Sequence, residues 1–171
     1  MSSSEQGFWS RIRVGPGFFR VVMNCWPPFL GMRIHIERIA PDWRHVRMRM
    51  KLSLTNQNFV GTQFGGGLFA MTDPYYMIMM MHQLGTGYVV WDKSARIDFV
   101  SPGRTTVYAD FHLSQEQIDE ALRMTADGAK FEPTYTIDVL DTEGKIVAHV
   151  EKTLHIRKKR ENPAEKPKAV A

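Results

Sequence analysis

A chain of 171 residues, 43% hydrophobic and 23% charged, is long enough for one domain with a sizeable core, and a mean hydropathy of -0.29 excludes a disordered body. The formal charge of +4 resides wholly beyond position 156, where six Lys or Arg face two Glu, so the pI near 9.3 is no sign of a nucleic-acid-binding surface. A single cysteine, Cys25, excludes an internal disulfide, and the absence of a leading apolar run makes the cytoplasm the expected location.

Residues 1–14 read as a flexible arm. From Gly17 to Leu30 the apolar, aromatic-anchored sequence predicts an N-terminal helix over one end of the core, stopped by Pro27-Pro28. It lacks the basic polar face of an interfacial membrane helix. Met32, Ile34 and Ile36 alternate with Arg33, His35 and Glu37, a half-buried strand. After a turn at Ala40-Pro41-Asp42, Val46, Met48, Met50, Leu52 and Leu54 alternate with Arg47, Arg49, Lys51 and Ser53. The two strands form a hairpin whose basic outer face is either solvated or serves a phosphate-bearing ligand or a partner subunit.

The stretch from Asn56 to Leu84 passes Gly65-Gly66-Gly67 and enters a segment, Leu68 to Met81, apolar on every side except at Thr72 and Asp73. Such a segment belongs inside a core. It is shorter than the ~20 apolar residues of a membrane crossing, and Asp73-Pro74 interrupts it. The glycines let first-turn N–H groups, which lack helical partners, face an oxyanion or carbonyl oxygen. Asp73 among Met, Phe and Tyr is costly to desolvate unless it is paired, hydrogen-bonded or partly wet. It either bonds the backbone freed by Pro74 or is a functional carboxylate.

A glycine stop at Gly85 leads into a strand from Tyr88 to Val100, with Trp91, Ala95, Ile97 and Phe99 on one face and Asp92, Ser94, Arg96 and Asp98 on the other. Lys93 falls on the apolar face by parity: a bulge re-aims it, its stem snorkels, or it reaches Asp73. Thr105 to Leu113 alternates as another strand. Ser114 and Gln117 form a capping box for a short helix ending at Asp127-Gly128. Phe131 to Leu140 and Lys145 to Ile156 are two more strands, joined by a hairpin turn at 141–144, and residues 158–171 read as a disordered basic tail.

The order predicts a single α+β domain over residues 15–157. An antiparallel six-stranded sheet wraps a long central helix, with an extra N-terminal helix and a short helix between strands 4 and 5. A homodimer would cover what remains exposed, including sheet edges. No HExxH, paired cysteine, Gly-x-Ser-x-Gly, P-loop or dinucleotide fingerprint is present and the six histidines are scattered, so neither metal nor cofactor is expected.

With its glycine-rich entry to the central helix, this arrangement resembles the hotdog fold. Asn58, Phe64-Gly65-Gly66 and Asp73 resemble, in type and spacing, the Asn, His-Gly-Gly and acidic residue of the superfamily's acyl-CoA thioesterases. Pro27-Pro28-Phe29-Leu30-Gly31, Gly61-Thr62-Gln63-Phe64-Gly65-Gly66, Asp73-Pro74 and Val90-Trp91-Asp92-Lys93 are similar to a DUF4442-type branch.

The resemblance implies that the Gly65 N–H polarises a thioester carbonyl, that Asp73 acts as general base or nucleophile, and that Asn58 orients the water or thioester. Gly66 and Lys93 complete the substrate-binding set, and the acyl chain lies by Met77, Met79, Met80 and Met81, which also read as plain core. The implied substrate is an acyl-CoA or acyl-carrier thioester. The implied assembly is a homodimer or dimer of dimers with the site at its interface; neither nucleic acid nor a membrane span is implied. Phe64 replaces the histidine of many relatives, which argues against dehydratase chemistry and motivates the alternative of a non-catalytic acyl-thioester binding module.

Overall fold

The computed structural model describes residues 14–159, so most of the expected arm and tail lie outside the described residues, and the last strand runs through Lys158. In chain order the elements are α1 (Pro16–Asn24), α2 (Pro27–Met32), β1 (Ile34–Ile39), β2 (His45–Met50), α3 (Gly65–Ala70), α4 (Tyr75–Leu84), β3 (Tyr88–Phe99), β4 (Val107–His112), α5 (Gln115–Met124), β5 (Lys130–Phe131), β6 (Thr134–Asp141) and β7 (Ile146–Lys158). The sheet is antiparallel in the order β1-β2-β4-β6-β7-β3, and β5 pairs β7 off this path. Among the described residues it therefore has seven strands rather than six, the addition being the two-residue β5.

Three further departures have local causes. Pro27 begins α2 instead of ending a helix, because a proline at the first turn lacks only an N–H that would have no partner there. β2 stops at Met50, not Leu54: the Asn56 carboxamide donates to the Met32 and Lys51 carbonyls and accepts from the Ser53 amide, drawing the chain into a turn that leaves Leu54 exposed. The long central helix is two helices. Thr72 and Asp73 donate back to Phe69 and Ala70, three residues away, Pro74 has no amide to give, and the next helix opens at Tyr75.

Inward residues of β2, β4, β6 and β7 share one core with α3, α4 and the turn between them. Met48, Met50, Phe111, Val139, Val150, Leu154 and Ile156 meet Met71, Tyr75, Met79 and Met80, all below 2% exposed. Truncating any of these large side chains to Ala would cost about 2–5 kcal/mol. The β1 end of the sheet is covered by α1, where the Asn24 side chain both donates to and accepts from the backbone of Ile36. Among the described residues, nothing pairs with the outer edge of β3. No described helix is long and apolar enough to cross a membrane.

Candidate active site

The site begins with an exception on β7. Ala148, Val150, Lys152, Leu154 and Ile156 share the inward face, and one of the five is a lysine. Lys152 is 1% exposed, so its ammonium must be paired where it lies. Its Nζ donates to Asp73 Oδ1 at 2.9 Å, stands 3.2 Å from Asp92 Oδ1, and lies 5.9 Å from the Phe69 ring centroid.

Asp92 gets there through a β-bulge. The β3–β7 register slips between Asp92 and Ser94, so Asp92 faces Leu154 and Ala95 faces Lys152, both inward partners. Strict alternation would have put Asp92 outside and Trp91 inside. Instead Trp91 lies on the outer face, stacked on His155 with centroids 4.2 Å apart. Burial holds the Asp92 carboxyl above its ordinary pKa, with Lys152 pulling the other way.

Asp73 occupies the break between α3 and α4. Its side chain is 55% exposed while its Oδ1 is held from within, so the partner of this carboxylate is Lys152 and not backbone released by Pro74. Lys93 is not brought to Asp73. The bulge turns it outward to an ion pair with Glu132, whose other oxygen is 3.1 Å from His155 Nδ1. The Lys93 and His155 contacts hold the Glu132 carboxyl down at about 2.

The glycine-rich loop is fixed by buried amides. Gln63 donates to the Met50 and Thr105 carbonyls, and the Phe64 amide donates to the Asn56 carbonyl. Asn58 works within its own loop: Oδ1 accepts from the Val60 and Thr62 amides and Nδ2 donates to Thr62 Oγ1. In α3 the Gly67 and Leu68 amides bond the Phe64 carbonyl, while those of Gly65 and Gly66 precede any helical acceptor. The Phe99 ring lies against Gly65 and the Phe64 ring against Gly66, so a side chain at either glycine would displace a ring.

Lys152, Asp92, Asn56 and Gln63 are the residues missed in reading the sequence. Gln63 and Asp92 lie within the motifs that carry the family resemblance but were given no role, and Lys152 carried a signal of its own, its parity within an apolar strand face. The assembled group is a half-exposed carboxylate with one oxygen pinned by a buried cation, at the break that follows the glycine-opened α3. It can accept a proton from water or attack an electrophilic carbon.

The model of a family described as a domain of unknown function, DUF4442, matches residues 16–156. No curated protein matches the sequence. Among solved structures, one of a Pseudomonas aeruginosa protein described as a probable thioesterase is 18% identical, with a TM-score of 0.75 over 85% of this chain and 97% of that one. A Haemophilus influenzae thioesterase is 14% identical, with a TM-score of 0.62 over 89% and 96%. A glutamine-to-alanine mutant of a second P. aeruginosa thioesterase is 12% identical, with a TM-score of 0.61 over 87% and 98%.

Proposed function

The chain belongs to the DUF4442 family within the hotdog-fold superfamily, and on that premise we propose that it hydrolyses an acyl thioester with Asp73 as the reacting carboxylate. The observation that carries this reading is the pairing of a half-exposed Asp73 with the buried ammonium of Lys152. As general base, Asp73 takes a proton from water while the water oxygen bonds the thioester carbon. Collapse of the tetrahedral intermediate breaks the C–S bond, and the departing sulfur takes up that proton, giving a carboxylic acid and a thiol. As nucleophile, an Asp73 oxygen would instead bond the thioester carbon and expel the thiolate, giving an anhydride that water opens to the carboxylic acid and the free Asp73 carboxylate, the proton released going to the thiolate.

Lys152, tethered by Asp92, pins one oxygen of Asp73 and fixes its rotamer. The Gly65 N–H polarises the thioester carbonyl; α3 has only six residues, so the effect comes from the N–H itself. Asn58 acts by shaping the loop that carries Phe64 and Gly65. Gly66, under the Phe64 ring, belongs to an apolar rim where the thioester enters. Lys93, on the outer face, meets the charged carrier end of the substrate. A second copy of the chain covers the free edge of β3 and the exposed Phe59, Val60, Phe64, Phe99 and Val100, so the site matures at a homodimer interface.

Thiol release from a series of acyl-CoAs of increasing chain length tests the reading, with an enzyme-only control because Cys25 is exposed. Turnover by the parent that falls at least ~100-fold in Asp73→Asn supports hydrolysis. Folded protein that binds acyl-CoA without turnover supports instead the acyl-thioester binding module, which the Phe64 ring over Gly66 favours.

A further inference from the structure

The outer face of the sheet holds a second cluster that thioester hydrolysis leaves unused. His45 on β2 and His112 on β4 are direct cross-strand partners, and Asp110, two residues before His112, projects from the same face. His45 Nε2 lies 2.9 Å from Asp110 Oδ1. The imidazoles of His45 and His112 are stacked, with centroids 4.2 Å apart and planes 8° from parallel. One ligand atom from each of the three residues lies within 4.8 Å of the others.

We propose that His45, Asp110 and His112 bind a divalent transition ion of the zinc class. Two imidazole nitrogens and one carboxylate oxygen suit zinc, with ligand bonds of ~2.0–2.2 Å. The same set is poor for magnesium or calcium, which demand mostly oxygen. The second oxygen of Asp110 is already held: Arg47 donates to Oδ2 at 2.5 Å while its Nε donates to Glu37 and its guanidinium lies 4.9 Å over the Tyr108 ring. A carboxylate braced from behind with its front oxygen turned to the imidazoles is how ligating carboxylates are held. Arg47 also offsets the Asp110 charge, so affinity rests on the imidazoles, which again selects zinc over magnesium.

The surroundings leave coordination positions open. β4 and β6 pair only from Val107 to Ala109 and then splay, which opens a groove of about 320 Å³ reaching Asp110 and His112 on one wall and Thr136 and Asp138 on the other. An ion held by three protein ligands beside this groove would complete its shell with water or a small anion. Ligands on a tetrahedral ion of that bond length lie ~3.4 Å apart. Capture therefore turns the exposed His112 about χ2, breaking the ring stack and exchanging the His45–Asp110 contact for two bonds to metal.

Calorimetric titration of the full chain with Zn²⁺ tests the site, together with NMR of the histidine rings. One equivalent should bind, Mg²⁺ should not compete, and His112→Ala and Asp110→Asn should each weaken binding at least ~10-fold while His35→Ala leaves it unchanged. In the unsubstituted protein Zn²⁺ should shift the ring signals of His45 and His112, a readout that does not depend on any variant folding. Absence of stoichiometric binding, binding that survives both ligand substitutions, or ring shifts confined to other histidines would each overturn the site. Thiol release does not enter this test, so the two proposals stand or fall separately.

Discussion

Strands β3 and β7 carry two lysine–carboxylate sets on opposite faces of one pairing. Inside, Lys152 lies between Asp73 and Asp92; outside, Lys93 meets Glu132 and His155 supports it. The chemistry is alike and the water is not: Lys152 is 1% exposed and the Lys93 side chain 49%. Inside, solvent reaches half of Asp73 but not the Lys152 ammonium, so the buried cation depends on its two carboxylates and holds them in one geometry. On the outer face water and salt screen the pair and replace either member. A fixed carboxylate for chemistry can thus be built from the inner set and not from the outer.

The largest effect should come from Lys152→Met, which leaves two carboxylates facing each other without a cation. Breaking a buried pair costs about 3–5 kcal/mol, and the half exposure of Asp73 puts this one near 3 kcal/mol. Urea unfolding should show that loss, and thiol release should fall with it. A variant as stable as the parent would mean that the inner set behaves like the outer one.

Asp92→Asn should have a smaller effect, about 1 kcal/mol at neutral pH, because losing the contact to Lys152 is offset by no longer burying a charge. Its diagnostic is the pH dependence. Burial raises the Asp92 carboxyl above 3.8, so the native state holds this proton more firmly than the unfolded chain does. The group's contribution to stability is then greatest at acid pH and is lost as pH rises through the folded-state value. Asp92→Asn should remove that component, visible as a flatter curve of urea midpoint against pH above 3.8.

These two residues also mark how far the sequence can be read. Features set by neighbouring residues were legible: the alternation of β4, β6 and β7, the capping box in which Ser114 and Gln117 bond reciprocally, and the interruption at Asp73-Pro74. Lys152 carried a signal that the reading missed, since parity sets it between Val150 and Leu154 on an apolar face. Asp92 was legible only in part: the charge of Lys93 on the apolar face by parity marks the bulge, but the pattern after it still set Asp92 on the outer face, because one extra residue reverses the parity of everything before it. His45, Asp110 and His112 meet only through the β2–β4 register, a pairing across 65 residues that composition does not encode.

The smallest effect belongs to Lys93→Met on the outer face. Its ion pair with Glu132 is the main reason that carboxyl titrates at about 2 instead of 4.5, with His155 adding to it. A lowered carboxylate pKa contributes stability that is complete above 4.5 and is lost as pH falls toward 2, so the parent should lose stability across that window and the variant should lose less. The gap between parent and variant should therefore be widest near neutrality and close toward pH 2, staying small throughout because the pair is solvent-exposed, and 1 M salt should narrow it further. Turnover separates the two roles open to this lysine. A raised KM at constant kcat would show that Lys93 meets the charged carrier end of the substrate, and an unchanged KM would leave it a surface ion pair alone. A fall in kcat would break the comparison, because it would carry the chemistry to the wet face of the sheet, away from the carboxylate that Lys152 holds.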